Sequence, residues 1–390
     1  MKKFISLMLS AVILAGTSAC SANQSTNSEA SQSSADTTAA STAGQATEAK
    51  KDYSEEQKQL ENSLKQMNFS GVVRITENGE TICEVALGKK DSSTGEEIKP
   101  GTQFCVGSVS KQFAAASIML LQEKGRLSVD DKLEKYFPGY KYGKDLTVKN
   151  LLSMRSGIAE FYDADYIDNV YTELPAGELS KTITNEATVE QNQKALESWL
   201  LEQPLTFKPD STFTYSNSNY FLLARIVEIV SGKKYNTFVR ESFFEPLGMK
   251  SSTFIDDVDW KNLPNLAKPT VDAKTVYVGI TMGLGDIISN ADDMDVWLTS
   301  LRTYKLLSAK SVDAMIADYS PEDDFVYGYG LIPDGMGGAF HYGYFTTYHA
   351  MAYIHPEKKL NLFAVTNDDA HAEGDFTQLC HYVIQHILDK

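Results

Sequence analysis

Apolar residues change their spacing twice along this chain, and the changes mark three regions. Within Tyr53 to Met67, Leu60, Leu64 and Met67 recur at i, i+4 and i+7, which predicts an amphipathic helix. Gly71 to Thr76 and Thr81 to Leu87 follow as two strands. Asn78-Gly79 between them is a hairpin signal, because a tight two-residue turn needs positive φ. At the other end, Ala350 to His355 and Leu360 to Thr366 form a second strand pair around Pro356-Glu357-Lys358. A last helix is predicted over Phe376 to Leu388, with Phe376, Leu379, Cys380, Val383 and Ile387 on one stripe.

Between these ends the spacing is helical. Ser110 to Lys124 stops at Gly125, a suitable C-terminal cap, and Val148 to Met154, Ala195 to Leu201, Tyr220 to Val230 and Asp292 to Leu301 read as further helices. Strands at both ends with helices between predict an α+β fold: an antiparallel sheet built from both termini, flanked by helices, with an all-helical subdomain inserted. No internal repeat is present.

The first fifty residues follow different rules. Lys2 and Lys3 precede an apolar run from Phe4 to Ala15, too short to span a membrane but long enough for a signal peptide over residues 1–19. Thr17-Ser18-Ala19-Cys20 resembles a bacterial lipobox, with Thr17 where Leu is usual, so Cys20 is expected to be lipidated. Residues 21–50 are nearly all small or polar and predict a disordered tether, making 20–52 lipidated Cys plus linker and 53–390 the folded domain. Such a tether reaches roughly 30 Å root-mean-square. The expected location is therefore the outer face of the cell membrane, held by lipid alone.

Composition narrows the chemistry. The chain is 42% hydrophobic, enough for a substantial core, and its net charge of −16 disfavours nucleic acid as a partner. Cys83, Cys105 and Cys380 form no metal-ligand spacing and read as small core residues; no metal or cofactor is expected. There is no GxGxxG, P-loop, HExxH or GxSxG, and all six His lie at or after position 341.

Ser-x-x-Lys occurs at Ser108–Lys111 and at Ser231–Lys234. On a helix, i and i+3 share a face, so the amine can reach the hydroxyl, and desolvation can hold it partly neutral as a base. Ser231-Gly232 follows an apolar helix and reads as its stop. Ser108 instead opens an Ala-rich helix, where free N–H groups favour developing negative charge. Two further segments join it. Tyr215-Ser216-Asn217 offers an acid/base phenol and an amide; His341-Tyr342-Gly343 offers a cation or donor and a close backbone approach.

The ordered trio SVSK, YSN and HYG resembles the serine hydrolase superfamily of class C β-lactamases, DD-peptidases and related esterases. Phe104 to Tyr140, Leu146 to Ile158, Phe213 to Met249, Gly283 to Trp297 and Tyr327 to Leu331 carry the likeness over about residues 60–390. The resemblance implies that Ser108 is acylated and that Lys111 and Tyr215 share the proton transfers. It implies that Asn217 contacts a substrate amide, that His341 stands at the family's Lys or His position on an edge strand, and that the N–H groups of Ser108 and Tyr344 form the oxyanion hole. Tyr344-Phe345-Thr346-Thr347-Tyr348 replaces the family's glycines and predicts an aromatic site mouth; Met154-Arg155 and Pro209-Asp210, where His-Thr and Pro-Gly are usual, are expected to be peripheral. The expected substrate is a small molecule or peptide, cell-wall derived, bearing an amide or ester. The alternative is a catalytically inactive homologue that binds cell-wall peptide or a protein partner.

Overall fold

A computed structural model of the chain describes residues 51–162, 178–270, 276–320, 323, 325–368, 378, 380, 381 and 383. The chain divides into Met1–Tyr53 and Ser54–Lys390, and the architecture below is that of the second unit. Its strands are β1 (Gly71–Glu77), β2 (Glu80–Leu87), β3 (Lys89–Asp91), β4 (Glu96–Glu97), β5 (Phe104–Cys105), β6 (Thr253–Phe254), β7 (Ile287–Ser289), β8 (Ile332–Pro333), β9 (Ala339–Phe345), β10 (Tyr348–His355) and β11 (Leu360–Thr366). Its helices are α1 (Ser54–Gln66), α2 (Lys111–Glu123), α3 (Val148–Leu152), α4 (Glu178–Thr182), α5 (Val189–Glu202), α6 (Asn217–Ser231), α7 (Tyr235–Val239), α8 (Glu245–Leu247), α9 (Ala291–Arg302) and α10 (Ala309–Ile316).

The main sheet runs β2-β1-β11-β10-β9-β8, so strands from both ends of the chain meet at its centre. β1 pairs antiparallel with β11 from Gly71 opposite Thr366 to Glu77 opposite Leu360. The two predicted hairpins form: Asn78 and Gly79 both take positive φ, as a primed turn requires, and Lys359 closes the turn that begins at Pro356. β10 and β11 are buried at every position. That is the mark of strands covered on both faces, and α9 packs across β1, β10 and β11. Gln378, Cys380, His381 and Val383 are helical; the rest of the predicted last helix lies outside the described residues. Cys83, Cys105 and Cys380 are buried and unpaired.

Helix α2 is held by aromatic packing. The Phe113 ring stacks on Trp297 of α9 at 4.0 Å between centroids and meets Phe244 edge-on at 5.5 Å. The Trp297 indole N–H donates to Gln112 Oε1 at 2.9 Å, satisfying a group that burial would otherwise strand. This fixes α2, and with it the residues at its start, against the sheet.

Candidate active site

The chain enters α2 through a 3₁₀ turn, Gly107–Ser110, which carries Ser108 just ahead of Lys111. The Lys111 side chain is fully buried. Its amine lies 2.9 Å from Ser108 Oγ, 2.8 Å from Asn217 Oδ1 and 2.9 Å from the Leu284 carbonyl oxygen. Three partners suit either protonation state. The ammonium donates to all three; the neutral amine donates to Asn217 and Leu284 and turns its lone pair toward the Ser108 hydroxyl. Burial brings the amine down to about 7, against the opposing pull of Glu160 and Asp286.

Tyr215, Ser216 and Asn217 approach from the opposite side, at the start of α6. Ser216 occupies the N-cap position and Asn217 the first helical turn. The Tyr215 ring centre stands 5.0 Å from the Lys111 amine and 6.2 Å from the His341 ring. Met154, expected to be peripheral, lies directly under this turn: it is fully buried with φ of 59°, and its sulfur accepts the Ser216 N–H at 3.3 Å. Asp210 takes φ of 64°, which explains why Gly is usual there, and its carboxylate accepts from the Asn150 amide at 2.7 Å.

β9 closes the third side, by contact of one backbone with another. A Cβ on Gly343 would fall 1.9 Å from the Val106 carbonyl oxygen and 3.1 Å from the Ser108 nitrogen. A Cβ on Gly107, whose φ is +52°, would fall 2.6 Å from the Tyr344 nitrogen. Only glycines allow this approach, which brings the Ser108 and Tyr344 amides to one spot.

For β9 the structure narrows one expectation, a cation or donor at His341, and corrects another. His341 supplies no cation. It is buried, and its Nδ1 faces the Tyr342 carbonyl, so that nitrogen carries the proton; Nε2 then accepts from the Tyr327 hydroxyl at 3.0 Å. Burial, aided by the nearby Lys111 charge, holds it down at about 3. Nor is the site mouth lined by the aromatic run. Alternation along β9 turns Tyr342 and Tyr344 to the face away from Gly343. There the Tyr342 hydroxyl meets His381 Nε2 at 2.7 Å, and the Tyr344 ring packs on His349 at 4.8 Å. Phe345 packs against Trp260 at 5.7 Å, and the Tyr348 hydroxyl donates to the Ala267 carbonyl.

The second Ser-x-x-Lys is a helix end, as expected. Ser231 Oγ accepts the Lys233 N–H at 3.1 Å, and the exposed Lys234 pairs with Glu190.

Sequence reading missed two carboxylates. Half-buried Glu160 accepts the N–H groups of Asn217 and Tyr162. Fully buried Asp286 accepts the Gly283 N–H at 3.1 Å. Burial pushes both carboxyls up, Asp286 well above the usual carboxylate range. An acid inside an apolar run (Ile158 to Tyr162, Leu284 to Ile288) was the available signal. A cavity of about 290 Å³ adjoins the site through Glu160, lined also by Ser156, Thr206, Phe207, Ser216 and Asn219. Among the described residues, no group of three or more His, Cys, Asp or Glu could hold a metal.

Comparison with known proteins shows the family and the fold. The profile of the family described as Beta-lactamase matches residues 57–379. PbpX of Bacillus subtilis (strain 168), whose name assigns it provisionally to the penicillin-binding proteins, is 30% identical over 320 residues, covering 78% of this chain and 75% of that one. The teichoic acid D-alanine hydrolase of Staphylococcus aureus is 25% identical over 312 residues, covering 76% and 72%. Two solved structures share the fold. FmtA from Staphylococcus aureus superposes with a TM-score of 0.69 at 21% identity, over 88% of this chain and 90% of that one. The D-amino acid amidase of Ochrobactrum anthropi SV3, complexed with D-phenylalanine, gives 0.70 at 19%, over 87% and 99%.

Proposed function

The chain belongs to the Beta-lactamase family, and on that premise we propose that it removes D-alanyl or similar D-aminoacyl groups from cell-envelope esters or amides. It is a serine hydrolase that works through an acyl-enzyme on an amide or ester bond. The observation that carries the hydrolytic chemistry is the Lys111 amine, buried and shared between Ser108 and Asn217. The names of two relatives, a teichoic acid D-alanine hydrolase and a D-amino acid amidase, supply the substrate class.

In this reading the chemistry runs as in class C β-lactamases and DD-peptidases. Neutral Lys111 takes the proton of Ser108 as Oγ attacks the carbonyl carbon. The oxyanion forms against the N–H groups of Ser108 and Tyr344; losing one such donor typically costs ~2.7–4 kcal/mol of barrier. Tyr215 passes the proton to the departing alcohol or amine, the C–O or C–N bond breaks, and the acyl group stays on Ser108. Water, deprotonated by the same pair, then frees the acid. Asn217 holds the substrate's polar group beside the carbonyl. Signal cleavage and lipidation at Cys20 tether the enzyme outside the cell, near envelope polymers.

A fluorophosphonate probe and three substrates test this: a D-alanyl ester, a D-amino acid amide and a chromogenic cephalosporin. Labelling is expected in wild type and Ser231→Ala but not in Ser108→Ala, with the D-alanyl ester turned over fastest. Absence of labelling across pH 6–9 would leave a binding protein of the same fold. Fastest turnover of the cephalosporin would make it a β-lactamase proper.

A further inference from the structure

The loop Ser156–Tyr162 is stitched to three consecutive residues of α6. Glu160 accepts the Asn217 N–H, the Phe161 N–H donates to Ser218 Oγ at 3.1 Å, and Ser156 Oγ donates to Asn219 Oδ1 at 2.6 Å. Of the three stitches, only Glu160 brings charge, and it brings it to the N-terminus of a 15-residue helix, where backbone dipoles favour an anion. The same Asn217 that Glu160 holds by its backbone accepts from the Lys111 amine at 2.8 Å through its side chain. Carboxylate, helix start and amine thus form one connected unit.

We propose that Glu160 is a positioning residue for Lys111: it fixes the Asn217 backbone so that the Asn217 amide aims the amine, and it places a carboxylate on the same connected unit. The proposal deepens the reading of Lys111 as the proton acceptor and rests on it. The other ionisable groups facing Lys111 do not replace Glu160. Asp286 approaches from the segment before β7 and is engaged by the Gly283 N–H. His341, on β9, is held neutral. Tyr215 and Tyr220 present ring faces at 5.0 and 5.7 Å. Glu160 and Asp286 are the two opposite charges that favour the ammonium, and Glu160 is the larger influence. Without its charge, Lys111 should lose its proton at lower pH.

The test is the titration of Lys111, read by NMR in full-length protein carrying ¹³Cε-labelled lysine and assigned with Lys111→Met. The pH dependence of kcat/KM on the best ester is measured in parallel. Glu160→Gln keeps an acceptor for the Asn217 N–H and removes the charge. Its Lys111 midpoint and the acid limb of kcat/KM are both expected to fall by ~0.5 pH unit or more. Ser218→Ala loosens the neighbouring stitch without touching charge and should leave the midpoint in place. A folded Glu160→Gln protein with an unmoved Lys111 midpoint overturns the proposal, as does an equal shift in Ser218→Ala. Should Glu160→Gln not fold, Glu160→Asp keeps the charge on a shorter stem. It is expected to hold the midpoint within ~0.3 unit while lowering kcat, and a midpoint drop of ~0.5 unit or more in that variant counts against the idea. The NMR signal reports Lys111 whether or not anything is hydrolysed. An inactive wild type with a shifted Glu160→Gln resonance therefore sinks the catalytic reading, and with it Glu160's part in catalysis, while the coupling of Glu160 to Lys111 is still seen.

Discussion

Lys111 and His341 both lie beside the Tyr215 ring, at 5.0 and 6.2 Å, and burial drives both toward neutrality. For Lys111 this creates a base near physiological pH; for His341 it removes the cation, one of the two roles, cation or donor, that the sequence left open. The His341 effect has a stability consequence. In the unfolded chain a histidine titrates near 6.5, but in the fold His341 titrates at about 3. Between those values the unfolded chain binds the extra proton, so stability rises with pH across the window. His341→Gln should flatten that rise, measured as urea-unfolding free energy from pH 4 to 6.5, while leaving the slope above pH 7 unchanged. Tyr215 is tested more directly. If its hydroxyl relays the proton, Tyr215→Phe lowers kcat by ~10²-fold or more with a modest change in KM. An unaltered kcat would reassign the ring to packing. Ser108, Lys111, Tyr215 and Asn217 were legible because each stands in a short motif at the start of a helix. Glu160 and Asp286 were not, because an acid in a loop normally reads as solvated, and only the tertiary structure encloses these two.

Among elements, β9 matters most to the site and was the least readable. Residues 339–345 alternate Ala, His, Gly, Phe with Phe, Tyr, Tyr, so both faces look apolar and no polar side marks the pleat. Without the pleat, Tyr344 was expected at the site mouth, whereas it turns to the opposite face. The strand's function lies in what one residue lacks. Gly343→Ala must push β9 away from the Val106–Ser108 turn, since the new methyl would meet the Val106 carbonyl. The Ser108 and Tyr344 amides would separate, and kcat should fall ~10²–10³-fold, the scale of losing an oxyanion donor. Thermal unfolding in parallel distinguishes that loss from collapse of the sheet. The helices were easier. α2, α6 and α9 appear within a few residues of their predicted ranges because their apolar faces repeat at helical spacing. The start of α5 was missed because its capping box, Thr188 with Gln191, precedes the apolar stripe by several residues.

In the whole molecule, the sheet carries the site only when closed. β11 lies between β1 and β10 and pairs with both along its length. A chain ending at His355 would leave β1 and β10 each without that neighbour. It is expected to lose cooperative melting, seen by circular dichroism, and all probe labelling, even though Ser108, Lys111 and Tyr215 remain. Recovery of labelling on adding a separate 356–390 peptide would show that pairing alone was missing. The order of synthesis gives the same arrangement a temporal meaning. β1 is made long before its central partner, β11. Until then the emerging polymer has an unfilled slot at the middle of its sheet, so it stays pliable and open to chaperones. Catalytic power therefore waits for β11 and arrives all at once, when that strand slides into place.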